Sequence, residues 1–397
     1  MGDDDIHMEE EPVFELASGE FVPPSIDEKA LLSGVSYSHF SPVPPSLRPS
    51  SSTAESTSAI SASHPDGLNA GSGVPCVLGV DEAGRGPVLG PMVYGVFYAP
   101  VADADALLRG EAPNVDRDPD SGAPYRFDDS KVLSAVVRSA LMATVCRNGS
   151  TLHSTCGWAV QLLSARDIGS NMMAPVSSAA GSNLNVQALD ATVSLIRGVL
   201  DRGVRVTEVY VDTVGPPLSY QKKLERYFPG LRITVSKKAD SIYPSVSAAS
   251  VCAKVTRDVA LEVLYQRYQN TTASAENDSG SSKAKAAAPD WGSGYPSDGR
   301  CTSWLRNNMH PVFGWGPECR FSWGTAKDML EDSKKNGGVK VEWPAPEEVE
   351  DADDGFSVTR MTDFYAASAA RGAGEAGDDD VDELGSWFGQ PAGIESF

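Results

Sequence analysis

The chain has 397 residues, with 54 acids against 33 bases for a net charge of -21. The excess sits at the ends: residues 1–75 carry 12 acids and 2 bases, residues 331–397 carry 17 and 5, and 76–330 keep 25 and 26. A near-neutral centre can still present a basic face, so acidity does not exclude nucleic acid, whereas no run of 18 apolar residues exists to cross a membrane. The six cysteines (76, 146, 156, 252, 301, 319) show no Cys-x-x-Cys spacing, which fits reduced thiols rather than a disulfide framework or zinc site. The acidic Met-Gly-Asp-Asp-Asp start is unlike a secretory or mitochondrial leader. An intracellular protein, nuclear or cytosolic, is expected.

Residues 1–74 are rich in Ser, Pro and acid and read as a disordered tail. Strands are expected at 74–80 and about 91–98, joined by Asp81-Glu82-Ala-Gly84-Arg85-Gly86. Residues 102–126 read as a loop or insertion. A helix follows at 134–146 and a strand at about 155–163. Val186, Leu189, Val193, Ile196 and Leu200 recur at helical spacing over 185–201, closed by Gly203. Then come a strand at 204–212, a short helix through 228, a strand at 231–236 and a long helix at 245–268. The Ser/Ala/Lys-rich stretch 270–289 is a low-complexity insertion. Short helices near 302–308 and 324–333 precede an acidic tail, 331–397.

Acids gather at element ends. Asp81 and Glu82 close the first strand and Asp212 closes a later one. Strand carboxyl ends are where an open sheet collects its functional residues. Asp190 lies on the periodic helix, flanked by positions 186 and 193 of the apolar side, so its carboxylate is expected near the buried face. A buried carboxylate requires a partner or a cation. The five histidines (7, 39, 64, 153, 310) are scattered, and no nucleophile elbow, Walker loop or dinucleotide fingerprint is present. Acid-held Mg²⁺ or Mn²⁺ acting on phosphate is the chemistry that remains.

The stretch Asp81-Glu-Ala-Gly-Arg-Gly-Pro-Val-Leu-Gly-Pro-Met-Val-Tyr94 closely resembles the signature of the type 2 ribonucleases H, the ribonuclease HII family, and within it the eukaryotic catalytic subunits. Further segments agree in order: Asp129-Ser-Lys131, Val211-Asp212-Thr-Val-Gly, Lys238-Ala-Asp-Ser-Ile-Tyr-Pro, Ala253-Lys254-Val-Thr-Arg257-Asp258, Gly292-Ser-Gly-Tyr295-Pro and Arg320-Phe-Ser-Trp323. The resemblance implies an α/β ribonuclease H-like fold over 75–330, a mixed central sheet flanked by helices, with a C-terminal helical part and disordered acidic tails. It also implies hydrolysis of the RNA strand of RNA–DNA hybrids and cutting 5′ of single ribonucleotides in duplex DNA. Two divalent ions, Mg²⁺ or Mn²⁺, would act at Asp81, Glu82, Asp190 and Asp212.

By the same resemblance, Gly84, Arg85 and Gly86 match the ribose-reading loop. Tyr295 matches the tyrosine that packs on the ribose at the RNA–DNA junction, and Lys131, Lys254 and Arg257 match basic substrate contacts. Asp240 and Asp258 read as supporting or structural acids. Two accessory subunits of B and C type would complete a heterotrimer working in the nucleus on ribonucleotide removal and primer processing. In the last tail, residues 358–365 have the spacing of a sliding-clamp-binding peptide: Met361, Phe364 and Tyr365 form an apolar plug, and Val358 stands where that motif has glutamine. The readings set against this one are a catalytically silent scaffold of the same fold that recruits replication proteins, and another nuclease on that fold such as a resolvase. Comparing cleavage of all-DNA and single-ribonucleotide duplexes separates the nucleases.

Overall fold

The computed structural model describes residues 21–48, 73–119, 121–128, 132–173, 183–213, 215–275 (side chains to 269) and 290–331. Lys131 and the segment 358–365 lie outside the described residues.

Six strands form one mixed sheet: β1 Tyr37–Phe40, β2 Cys76–Ala83, β3 Met92–Pro100, β4 Gly157–Leu163, β5 Val206–Asp212 and β6 Arg232–Ser236, in the order β1-β4-β3-β2-β5-β6. β1 to β4 pair antiparallel, while β2, β5 and β6 run parallel. β2 and β3 are buried almost throughout, as near-continuous apolar runs demand when both faces of a sheet are covered. Val80 lies opposite Val211 in the parallel register. Asp81 and Asp212, each one residue further on, therefore emerge side by side at the strand ends.

The long helix α8, Pro244–Ala275, crosses one face. Its first turns carry Ser245, Ala248, Ala249, Cys252 and Ala253, and the sheet beneath answers with glycine. A Cβ on Gly79 would lie 2.2 Å from the Ser245 carbonyl carbon, and one on Gly95 would lie 2.6 Å from the Ala249 oxygen. Helix α6, Leu184–Asp201, covers the other face, with α7, Pro217–Tyr227, beside it. Asn183 caps α6, its side chain accepting from the Asn185 and Val186 amides. A third apolar cluster, around Trp291, Trp304, Trp315 and Leu261, joins the C-terminal helices α9, Gly299–Asn307, and α10, Gly324–Glu331, to the far part of α8.

Three expectations are corrected. Residues 21–48 are not part of a disordered tail: helix α1, Glu28–Leu32, buries Leu31, β1 adds an edge to β4, and Leu47 is fully buried. Composition averaged over the whole N-terminus hid this short apolar segment, and an edge strand of four residues suffices because the sheet supplies its partner. The stretch 102–126 is packed rather than looped out. Its helix α2, Ala104–Leu108, buries Leu107 and Leu108, and Arg117 bridges Pro124. Finally, α8 runs on to Ala275, into the expected insertion. Helices α3, Ala135–Cys146, α4, Thr151–Thr155, and α5, Ala165–Met173, complete the described elements, the last two without a strong signal in the sequence.

Candidate active site

β2 delivers Asp81, which is only 5% exposed, and then Glu82. The Glu82 amide donates to Asp81 Oδ1 at 2.8 Å. Burial pushes the Asp81 carboxyl above its usual range, against the nearby Lys254 charge and a Ser250 hydrogen bond. Glu82 is pushed up by burial and then by the charge of Asp81, with Arg85 opposing. Lys254 donates to Ser250 Oγ at 2.5 Å. Asp212, at the end of β5, accepts from the Ala239 amide at 2.8 Å. That bond ties the strand end to a short turn, Ala239–Ser241, entered through a left-handed Lys238 with φ 57°.

The same turn presents Asp240, 2% exposed. Asp81, Glu82, Asp212 and Asp240 line one cavity of about 420 Å³ together with Gly84, Arg85, Lys254, Arg257 and Tyr295. Among the described residues no three acids, histidines or cysteines stand together closely enough to hold a metal ion by themselves. The four carboxylates make a wall of hard oxygen donors open to a ligand. A hard divalent cation suits such a wall, since it binds through carboxylates plus substrate phosphate. Neighbouring carboxyls raised by burial and mutual repulsion provide the electrostatic setting that a divalent cation relieves.

Asp240 and the half-exposed Asp258 thus join Asp81, Glu82 and Asp212 in this cavity, and Asp190, expected there, does not. Asp190 is exposed and borders a different cavity with Phe40, Arg197, Asp201, Arg202 and Tyr227. The buried stripe of α6 runs through Ala188, Ala191, Leu195, Ile196 and Val199, while Val186 is 41% exposed. Alanines share the buried face with the larger aliphatics, so counting only the larger ones misplaces it. The motif around Lys238 held the signal for Asp240, but its position in a turn rather than at a strand end concealed it.

The Gly84–Gly86 loop borders the acids. Gly84 has φ 78°, and a Cβ there would lie 2.6 Å from the Pro91 oxygen. A Cβ on Gly86 would come within 3.2 Å of the Tyr295 ring, so the loop and the tyrosine, 39% exposed, are in direct apposition. Most of what holds the loop comes from the C-terminal segment. Arg320 is completely buried, and its guanidinium donates to the carbonyls of Gly84 at 2.7 Å, Gly90 at 3.0 Å and Arg85 at 3.1 Å. Trp323 Nε1 donates to Gly86 O at 3.0 Å. Burial draws the Arg320 pKa down to about 9, still above neutrality, so the group keeps its charge. The Val88 and Leu89 amides donate to Gly294 O at 2.9 and 3.2 Å, fastening the loop to the Tyr295 segment.

Arg257, matched to a substrate contact, lines the cavity and is also tied into the protein as a support. It is 6% exposed, donates to Ser293 O at 2.6 Å and to Asp258 at 3.1 Å, and lies 5.8 Å from the Tyr295 ring centre. Asp258 also faces Arg138 at 3.8 Å, in keeping with a structural acid. Arg320 and Trp323 were visible only as a sequence match; their role needed the fold.

The sequence model of the family described as ribonuclease HII matches residues 78–288. This chain belongs to the ribonuclease HII family. The matched span carries Asp81, Glu82, Asp212 and Asp240, the further cavity acid Asp258, the glycine loop and Lys254. A similar relative, the A-type subunit of ribonuclease H2 from Neurospora crassa, is 50% identical over 96% of this chain and 98% of its own length. The Schizosaccharomyces pombe protein of the same description is 44% identical over 68% of this chain and 72% of its own. The human one is 42% identical over 65% and 73%. As a member of this family the chain is a ribonuclease H, an endonuclease that hydrolyses the RNA strand of RNA–DNA hybrids, on the ribonuclease H-like fold.

Proposed function

We propose that Asp81, Glu82, Asp212 and Asp240 hold two divalent cations, Mg²⁺ or Mn²⁺, and that the chain cuts the strand 5′ of a ribonucleotide, whether single or within a hybrid. The observation that carries this reading is the shared cavity in which the four carboxylates meet the Gly84–Gly86 loop and Tyr295. When bound, the cations supply a water of lowered pKa as nucleophile and stabilise the leaving oxygen.

The chain's own residues supply the rest. The carboxylates orient the scissile phosphate by holding its counter-charge. Lys254 offsets the negative charge at Asp81 and donates towards phosphate. The glycine loop brings bare backbone against the ribose 2′-hydroxyl, the group that separates RNA from DNA. Tyr295 packs on the sugar at the junction, and Lys131 adds a phosphate contact. The deciding experiment is a metal-titrated cleavage assay on a duplex with one ribonucleotide. Asp240→Asn should lose activity by roughly a hundredfold or more, while Asp190→Asn stays within about twofold of wild type. The reverse ranking would return the fourth metal ligand to α6.

The relatives are described as one lettered component of ribonuclease H2, which supports assembly with B- and C-type accessory subunits. Work on ribonucleotide removal and primer processing in the nucleus follows, and imaging of the tagged full chain checks the compartment. The plug of Met361, Phe364 and Tyr365 supports docking on a sliding clamp. Deleting 358–365 should weaken clamp capture and spare cleavage of naked duplex; unchanged capture ends that part.

A further inference from the structure

The row of acids has a second side. Between β5, α6 and α7 lies another cavity, of about 160 Å³. Glu82, Arg85 and Asp212 border both cavities, so the two meet at the carboxylates. The Arg85 peptide belongs to the glycine loop, yet its guanidinium turns into this second cavity. There it donates to Asn185 Oδ1, and the buried Tyr94 lines the same cavity. Across from it, α7 contributes Ser219, Tyr220 and Lys223. The wall is fixed, because the Tyr220 hydroxyl donates to Thr192 Oγ1 at 3.0 Å. Lys223 is exposed and makes no ion pair among the described residues.

Two cations facing each other across hydroxyl and amide groups, next to acids that need counter-charge, suit one ligand class. It is anionic, rich in acceptor oxygens and continuous with whatever lies on the acids. A strand whose ribose rests against Gly86 and Tyr295, and whose scissile phosphate lies at the acids, continues into this cavity. We infer that the second cavity is a phosphate subsite, holding a phosphodiester of the cleaved strand beyond the scissile one, on the side away from the glycine loop. Lys223 and Arg85 are its cationic partners. Arg85 thus serves both sides: its peptide stands at the ribose and its side chain at the next phosphate. A lysine on a flexible stem acts there as a point charge, contributing position and affinity rather than sequence choice.

This inference rests on the nuclease reading above, and its test separates the two. Cleavage of a single-ribonucleotide duplex by the full chain with its accessory subunits is measured alongside binding of an uncleavable duplex. Lys223→Ala should raise KM and weaken binding roughly two- to fivefold, with kcat little changed. It should also reduce the slope of log affinity against log salt by about 1. Lys223→Glu should do more. Neutral methylphosphonates are then placed one at a time at the phosphates on either side of the cut. At one position beyond the acids, the modification should cost wild type the same factor and cost Lys223→Ala nothing further. Additive losses at every position, or a KM indifferent to Lys223→Glu, overturn the subsite. Binding that depends on Lys223 without any cleavage by wild type would keep the subsite and reject the nuclease assignment. Cleavage indifferent to Lys223 would do the opposite.

Discussion

The four acids and the glycine loop share one cavity, but different parts of the chain hold them. Asp81, Glu82 and Asp212 stand on paired strands, and Asp240 stands on a turn bonded to Asp212, so the sheet and its immediate continuation set their positions. The loop has no such frame. It crosses between strands through Gly84 in a left-handed conformation, and its carbonyls are taken up by Arg320 and Trp323 from a separate helical part. The acids carry electrostatic tension that a cation relieves, whereas the loop is held through the buried Arg320 guanidinium and depends on hydrogen-bond geometry. Cutting is thus vulnerable to a change of charge, and recognition to a change of shape far from the substrate.

Breaking that contrast requires two substrates, a long hybrid and a duplex with a single ribonucleotide. The largest effect is that of Asp240→Asn, a loss of roughly a hundredfold or more that falls equally on both. A loss confined to one substrate would make Asp240 a recognition residue and dissolve the contrast. Tyr295→Ala comes next, costing about tenfold on the single ribonucleotide, as for loss of one stacking platform, and clearly less on the hybrid. Equal loss on both would count against reading at the junction. Smallest is Trp323→Phe, which keeps a ring over Arg320 and removes one hydrogen bond to Gly86. It should cost about 1 kcal/mol, roughly fivefold, on the single-ribonucleotide duplex, with little change in melting temperature. An unchanged ratio between the substrates would release the loop from control by the C-terminal segment.

Much of this was legible in the residues. The apolar run into Asp81-Glu82 placed two acids at a strand end, and the β-branched run into Asp212 placed a third in parallel with them. Most element boundaries followed from the same periodicities, and the α/β fold followed from the resemblance. Two features were not legible for definite reasons. On α6 Ala188 and Ala191 are buried along with Leu195, Ile196 and Val199 while Val186 is exposed, so counting large aliphatics turned the helix and brought Asp190 inward. Asp240 lies in a three-residue turn after a left-handed lysine, where no periodicity marks a side chain as buried. The edge strand Tyr37–Phe40 was missed because its order depends on β4, more than a hundred residues later.

The bonds from Arg320 and Trp323 to Gly84, Arg85, Gly86 and Gly90 bridge between 230 and 237 residues. A growing chain meets that distance as time. Synthesis at roughly 5–20 residues per second leaves β2 and its acids waiting more than ten seconds for the segment that shapes the loop beside them. The nascent protein therefore acquires the acids of a nuclease before it acquires the ability to check a sugar. Its discrimination is the last property to be finished, and a chain ending short of Arg320 would lack that property before any other.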